Sequence, residues 1–315
     1  MKGDPGLLLA FLPLLVAAAD ARAQGALWIA DDTTARIYRV TEQGALISSF
    51  PVPFSAHSSV DLDPFTLTLW ATSENAGGGR FVNTDRAGQL PPGCGACEPF
   101  IGAAGLGISD PEGLGVDPAD GTLWAVADPL NVGMVYHLER DGTLLSSFPT
   151  ASFDAAAISP QSICVDPFDG TLWITDNESR KIYNVTKTGS LVSSFSALLY
   201  TAVFDPGVSN PIPQGIGVDA DGSLWVTDRL TNRIYNVDSG RGGTTPGNLR
   251  SSFPSTTYDE DSHNPTGVAY EAPLPVPALP EWGAPALSLG LLAAGRRVSG
   301  LRPGSQRGTR SQYSA

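Results

Sequence analysis

Apolar residues along this chain alternate with polar ones or run in short blocks, and the blocks recur. Residues 213–228 read PQGIGVDADGSLWVTD: an apolar, glycine-bearing stretch, an Asp-Gly turn, then a β-branched and aromatic stretch ending in Asp. This pattern predicts two short strands joined by a tight turn. The unit returns at 160–176 as PQSICVDPFDGTLWITD and at 111–128 as PEGLGVDPADGTLWAVAD, with a weaker copy over 57–73. Its two halves also occur separately, as LWIAD at 27–31 and PTGVAY at 265–270.

A third strand is expected at 36–40, 134–138, 181–185 and 233–237. A fourth follows a glycine turn and ends in Ser-Ser-Phe at Phe50, Phe148, Phe195 and Phe253. The repeat tryptophans Trp28, Trp70, Trp124, Trp173 and Trp225 are separated by 42, 54, 49 and 52 residues. Four short strands per repeat of this length predict an all-β propeller, and the lack of i, i+3, i+4 apolar spacing argues against a helical solenoid. We expect five four-stranded blades, the first built from 26–50 and closed by an innermost strand from 265–270. Closure removes the free sheet edges that an open array would leave. The alternatives are an open five-repeat array or a sixth blade within 91–110, a stretch without a Leu-Trp or Ile-Tyr strand that reads as a loop.

Alternating strand direction then sorts the connections. The Asp-Gly turns at 117–121, 166–170 and 219–222 fall on one face, here the bottom. Two sets of loops fall on the other. One set links successive blades, at 51–57, 91–110, 149–159, 196–212 and 254–264; the second follows the tryptophan strands. Long loops on a rigid scaffold are common binding elements, which makes the top face the candidate site.

That top face is acidic. Asp31, Glu74, Asp128, Asp176 and Asp228 occupy nearly the same repeat position, just after the tryptophan strand, and Ser58, Glu112, Gln161, Gln214 and Thr266 stand at the start of each inner strand, where they are expected to ring the central channel. Converging oxygen ligands suit a hard cation such as Ca2+ or Mg2+, with Glu112, Asp128, Asp176 and Asp228 as candidate ligands. The structural alternative is that a strand-ending Asp accepts hydrogen bonds from the amides of the next turn. Glu112 stands apart, because one blade alone carries an acid at its position. His57 and His263 both lead into inner strands and are candidate neighbours on the top face, able to serve as a base or ligands. GxSxG, HExxH and phosphate-loop motifs are absent from the sequence.

The chain has a net charge of −13, and the C-terminal residues after 283 are basic. An acidic body disfavours nucleic acid and anionic membrane surfaces and favours cations, glycans, proteins or small molecules as partners. Cys94 and Cys97 form one CxxC, too few ligands for a structural zinc site, and read as a local disulfide or two free thiols. Cys164 reads as a small buried residue. Lys2, the apolar run 7–19 and Ala21-Arg22-Ala23 read as a secretory signal over 1–23. The remaining layout is a propeller over 24–271, a proline-rich linker at 272–280, a motif with an apolar segment at 281–297 and a basic tail at 298–315.

The repeat P-x-G-I-x-V-D-x-x-G-x-L-W-V-T-D, with R-I-Y-N-V and S-S-F following, resembles the NHL, gluconolactonase and virginiamycin B lyase group of propellers over residues 26–270. Gluconolactonase-type enzymes hold a divalent metal in the channel with one ligand from a Glu-Gly pair. Glu112-Gly113 matches that pair, so the resemblance implies a metal-dependent lactonase or lyase as the alternative to a non-catalytic binding module. The segment 276–283, VPALPEWG, followed by an apolar run and Arg296-Arg297, resembles the IPTL-CTERM and PEP-CTERM sorting tails of exported bacterial proteins. Pro277, Leu279, Glu281, Trp282 and Gly283 carry that resemblance. It implies an exosortase-like processing protease, transient membrane contact through the tail, and display at the cell surface of a Gram-negative-type bacterium.

Overall fold

The computed structural model describes residues 25–52, 59–73, 79–90, 100–128 and 132–273. Its strands form five four-stranded antiparallel sheets, the blades of a five-bladed propeller. Blade 1 contains β1 (Ala26–Asp31), β2 (Arg36–Thr41) and β3 (Leu46–Pro51), with β20 (Pro265–Glu271) as its innermost strand. Blade 2 contains β4 (Val60–Leu62), β5 (Leu69–Ser73), β6 (Arg80–Thr84) and β7 (Phe100–Gly102). Blade 3 runs through β8 (Pro111–Val116), β9 (Leu123–Ala127), β10 (Met134–Leu138) and β11 (Leu144–Pro149). Blade 4 is β12 (Pro160–Val165), β13 (Leu172–Asp176), β14 (Lys181–Val185) and β15 (Leu191–Ser196). Blade 5 is β16 (Pro213–Val218), β17 (Leu224–Asp228), β18 (Arg233–Val237) and β19 (Leu249–Pro254). A short helix, α1 (Leu198–Phe204), lies in the connection from blade 4 to blade 5.

One expectation is corrected here. Residues 100–102, read from sequence as part of a loop, form the outermost strand of blade 2 and pair with β6 through Arg80–Gly102, Phe81–Ile101 and Val82–Phe100. The stretch supplies the missing fourth strand of an existing blade.

Each repeat tryptophan points across a seam. Trp28 packs with Val60 and Leu69 of blade 2, Trp70 with Leu114 and Leu123 of blade 3, and Trp225 with Leu27 and Val268 of blade 1. Trp124 and Trp173 fill the two remaining seams in the same way. The core is therefore five apolar clusters, one between each pair of neighbouring blades, and the tryptophan period in the sequence is the period of those seams.

The inner strands approach one another so closely that side chains must be absent. A Cβ on Gly113 would lie 2.5 Å from Ser162 Cα, and one on Gly267 would lie 2.6 Å from the Val60 amide nitrogen. Glycine at these positions is a steric requirement of packing five inner strands around a narrow axis.

At the bottom, an acid closes each inner strand, and in four blades it meets a base from the next blade's outer hairpin. Asp63 accepts Arg140 Nη1 at 2.5 Å, Asp117 pairs with Lys187, Asp166 accepts Arg241 Nη2 at 2.7 Å, and Glu271 accepts Arg86 Nη1 at 2.7 Å. Trp28, Trp173 and Trp225 donate their indole N–H to the acid of their own blade, Glu271, Asp166 and Asp219 respectively. The seam from blade 5 to blade 1 departs from this belt. There Asp219 meets Glu42 at the position of the bases, and the two acids line a cavity of about 450 Å³.

Candidate functional site

Proline begins β8, β12, β16 and β20, which holds the preceding residue in extended or turn backbone at the top face. In three blades that preceding residue donates its amide to the Asp that ends the tryptophan strand. Ser159 N reaches Asp176 Oδ2 at 2.9 Å, Ile212 N reaches Asp228 Oδ2 at 2.7 Å, and Asn264 N reaches Asp31 Oδ2 at 3.1 Å. The second oxygen of each Asp is also taken: Asp176 Oδ1 by Ser179 N, Asp228 Oδ1 by Thr231 N, and Asp31 Oδ1 by Thr34 N. Asp31, Asp176 and Asp228 thus tie the loops of the top face to the strands. Burial raises the pKa of Asp176 and Asp228, while the amide bonds pull the other way.

Blade 3 breaks the pattern: Ala127 pairs with Pro111 where Asp176 and Asp228 pair with Pro160 and Pro213, and Asp128 lies one residue beyond the strand. The residue before its proline is Asp110, in left-handed backbone with φ of 57°. Asp128 Oδ2 accepts the hydroxyl of Ser159 in blade 4 at 2.8 Å. Its carboxyl lies beside that of Asp110, and ligand oxygens of Asp110, Glu112 and Asp128 all fall within 4.8 Å of one another. Burial is the main cause that pushes the Asp128 pKa up to about 6; the Asp110 carboxyl adds to the rise and the Ser159 hydroxyl opposes it. Three carboxylates this close repel one another, and a hard cation with oxygen preference relieves that repulsion. The donor set is all oxygen, which fits Ca2+ or Mg2+, with water completing the coordination.

The structure thus brings Glu112 and Asp128 together and adds Asp110, while Asp176 and Asp228 stand in their own blades with both oxygens engaged. Asp110 was not among the sequence candidates. The available signal was an acid in the slot that holds Ser159, Ile212 and Asn264 in other blades. Gln161 and Gln214, both buried near the starts of β12 and β16, lie side by side, with Gln214 Nε2 donating to Gln161 Oε1 at 3.1 Å. Thr266, near the start of β20, donates its hydroxyl to the Ala30 carbonyl at 3.3 Å. His263 is exposed on the loop before β20. Ser58, His57 and Glu74 lie outside the described residues, as do Cys94, Cys97, the leader 1–23 and every residue of the sorting motif. Cys164 is buried between blades 4 and 5.

No protein-family model and no curated protein matches the chain. Solved structures do resemble it. One, from a nidogen/laminin complex, is 15% identical with a TM-score of 0.47 and covers 78% of this chain and 98% of its own. Virginiamycin B lyase from Staphylococcus aureus, in a structure with quinupristin, is 20% identical with a TM-score of 0.41 and covers 80% of this chain and 75% of its own. A protein of unknown function from Bacteroides caccae is 10% identical with a TM-score of 0.41. The propeller assignment stands on the sheet topology itself.

Proposed function

We propose that the protein is an exported, surface-displayed propeller that binds its ligand without transforming it, through a divalent cation held on the top face by Asp110, Glu112 and Asp128. The observation that carries this reading is the departure of blade 3 from its own repeat. Three blades end the tryptophan strand in an Asp locked by a backbone amide, whereas blade 3 ends it in Ala127 and gathers Asp110, Glu112 and, one residue beyond the strand, Asp128. An exposed carboxylate-held cation keeps positions open to water, and a carboxylate of a glycan, protein or small molecule can take one of them. The leader-like segment at 1–23 and the tail from 276 onward support export and processing by an exosortase-like protease.

The lactonase- or lyase-like alternative draws on the same three carboxylates, since Glu112-Gly113 is the pair that the family resemblance singles out. Thermal unfolding tests the shared premise. Cation binding to the folded state raises the melting temperature with ligand concentration, by an amount equivalent to about 2.7 kcal/mol at a hundredfold excess over Kd. The shift is expected with Ca2+ or Mg2+, absent with chelator, and lost in Glu112→Gln. A shift accompanied by turnover of a lactone would favour the enzyme. No shift at millimolar cation would remove both cation readings.

A further inference from the structure

The cation site proposed above has a directed support that crosses three blades. The carbonyl oxygen of Ser159 can only accept, and Gln161 faces it with a nitrogen, Nε2, at 3.3 Å. That nitrogen also donates to Ser159 Oγ at 3.1 Å. With its amide orientation fixed, Gln161 must turn Oε1 toward Gln214, which donates Nε2 to it at 3.1 Å. Ser159 Oγ accepts from Gln161 and therefore has its single proton to give, which it gives to Asp128 Oδ2 at 2.8 Å. Every donor in the chain Gln214, Gln161, Ser159 points the same way, toward Asp128. Gln161 and Gln214 are both buried, so water does not readily substitute for a missing member.

We infer that Ser159 and Gln161, backed by Gln214, are positioning residues for the cation site: their one-way hydrogen-bond chain holds Asp128 Oδ2 and thereby aims its other oxygen at Asp110 and Glu112. The inference rests on the cation reading and adds what that reading lacks, a reason for blade 4 and blade 5 to matter to a site built wholly from blade 3. Partners that orient a ligating carboxylate typically change metal affinity by tenfold or more when removed. None of these side chains is needed as a ligand, and Ser159→Ala removes only the final hydroxyl.

The test measures Ca2+ affinity of the purified protein by competition with a fluorescent chelator, alongside the melting temperature without cation. Ser159→Ala and Gln161→Leu are each expected to weaken binding about tenfold, and Gln214→Leu by a smaller factor. Ser159→Thr, which keeps the hydroxyl, is expected to retain wild-type affinity. That rescue separates positioning from a general loss of packing, which would move the cation-free melting temperature of the variants without discriminating between Thr and Ala. Wild-type affinity in both Ser159→Ala and Gln161→Leu would overturn the inference and leave the cation reading standing. Failure of the wild-type protein to bind Ca2+ or Mg2+ would overturn both.

Discussion

Asp61 occupies the inner-strand position that holds Gly115, Cys164, Gly217 and Ala269 in the other blades, opposite the repeat tryptophan. Its carboxylate sits in the seam between blades 2 and 3, accepting Val116 N at 2.7 Å and Leu62 N at 2.8 Å. Burial dominates those two bonds and pushes its pKa up to about 7, with the nearby Asp63 adding a smaller rise. A carboxyl whose folded-state pKa exceeds its unfolded value favours the folded state while protonated. Its contribution is fully present below about pH 4 and is lost as the pH rises through about 7. Asp61→Asn should therefore remove a downward component of the stability profile between about pH 4 and 7, on the order of 4 kcal/mol. Denaturant unfolding across that range checks it, and parallel profiles for the two proteins would show that Asp61 is not the titrating group.

The strands and their order were largely legible, and the reason is physical. Leu27–Trp28, Leu123–Trp124, Leu172–Trp173 and Leu224–Trp225 recur because each blade buries the same face against its neighbour, and the Ile-Tyr strands repeat for the same cause. β7 was not legible because its three residues lack the Ser-Ser-Phe ending that marks β3, β11, β15 and β19. The tight contacts of Gly113, Gly215 and Gly267 were invisible as well, since the sequence shows a glycine but not what it faces. A Cβ on Gly215 would lie 2.6 Å from the Val268 amide nitrogen, which is backbone and cannot swing aside. Gly215→Ala should cost about 1–3 kcal/mol through overpacking, measured by thermal melting. A neutral substitution would mean that β16 and β20 can separate without cost. Within the candidate site, Glu112 stood out as a lone acid in its repeat column. Asp110 did not, because its meaning depends on the amide bonds that Ser159, Ile212 and Asn264 make and it does not.

At the scale of the ring, four seams are closed by an acid from one blade and a base from the next. The acids are enclosed: Asp63, Asp117 and Asp166 have side-chain exposures of 0%, 1% and 1%. Removing a base strands a buried carboxylate, so Arg140→Met should destabilise the protein by about 3 kcal/mol. The fifth seam sets Glu42 against Asp219, and burial followed by the Asp219 charge raises the Glu42 pKa. Glu42→Arg should complete the belt and raise stability by about 0.5–1 kcal/mol, with the gain shrinking at high salt. A lower melting temperature for that variant would show that the acid pair is tolerated for reasons other than charge.

The same ring carries the proposed cation site on its opposite face, and that site is the claim on which the functional account turns. Calorimetric titration of the purified protein with CaCl2, repeated on Asp128→Asn and Glu112→Gln, tests it most directly. The account predicts one bound cation per chain in the wild-type protein and a large loss of affinity in each variant. Unchanged binding in both variants would place the cation elsewhere, and no heat of binding in the wild-type protein would mean that these three carboxylates do not hold one.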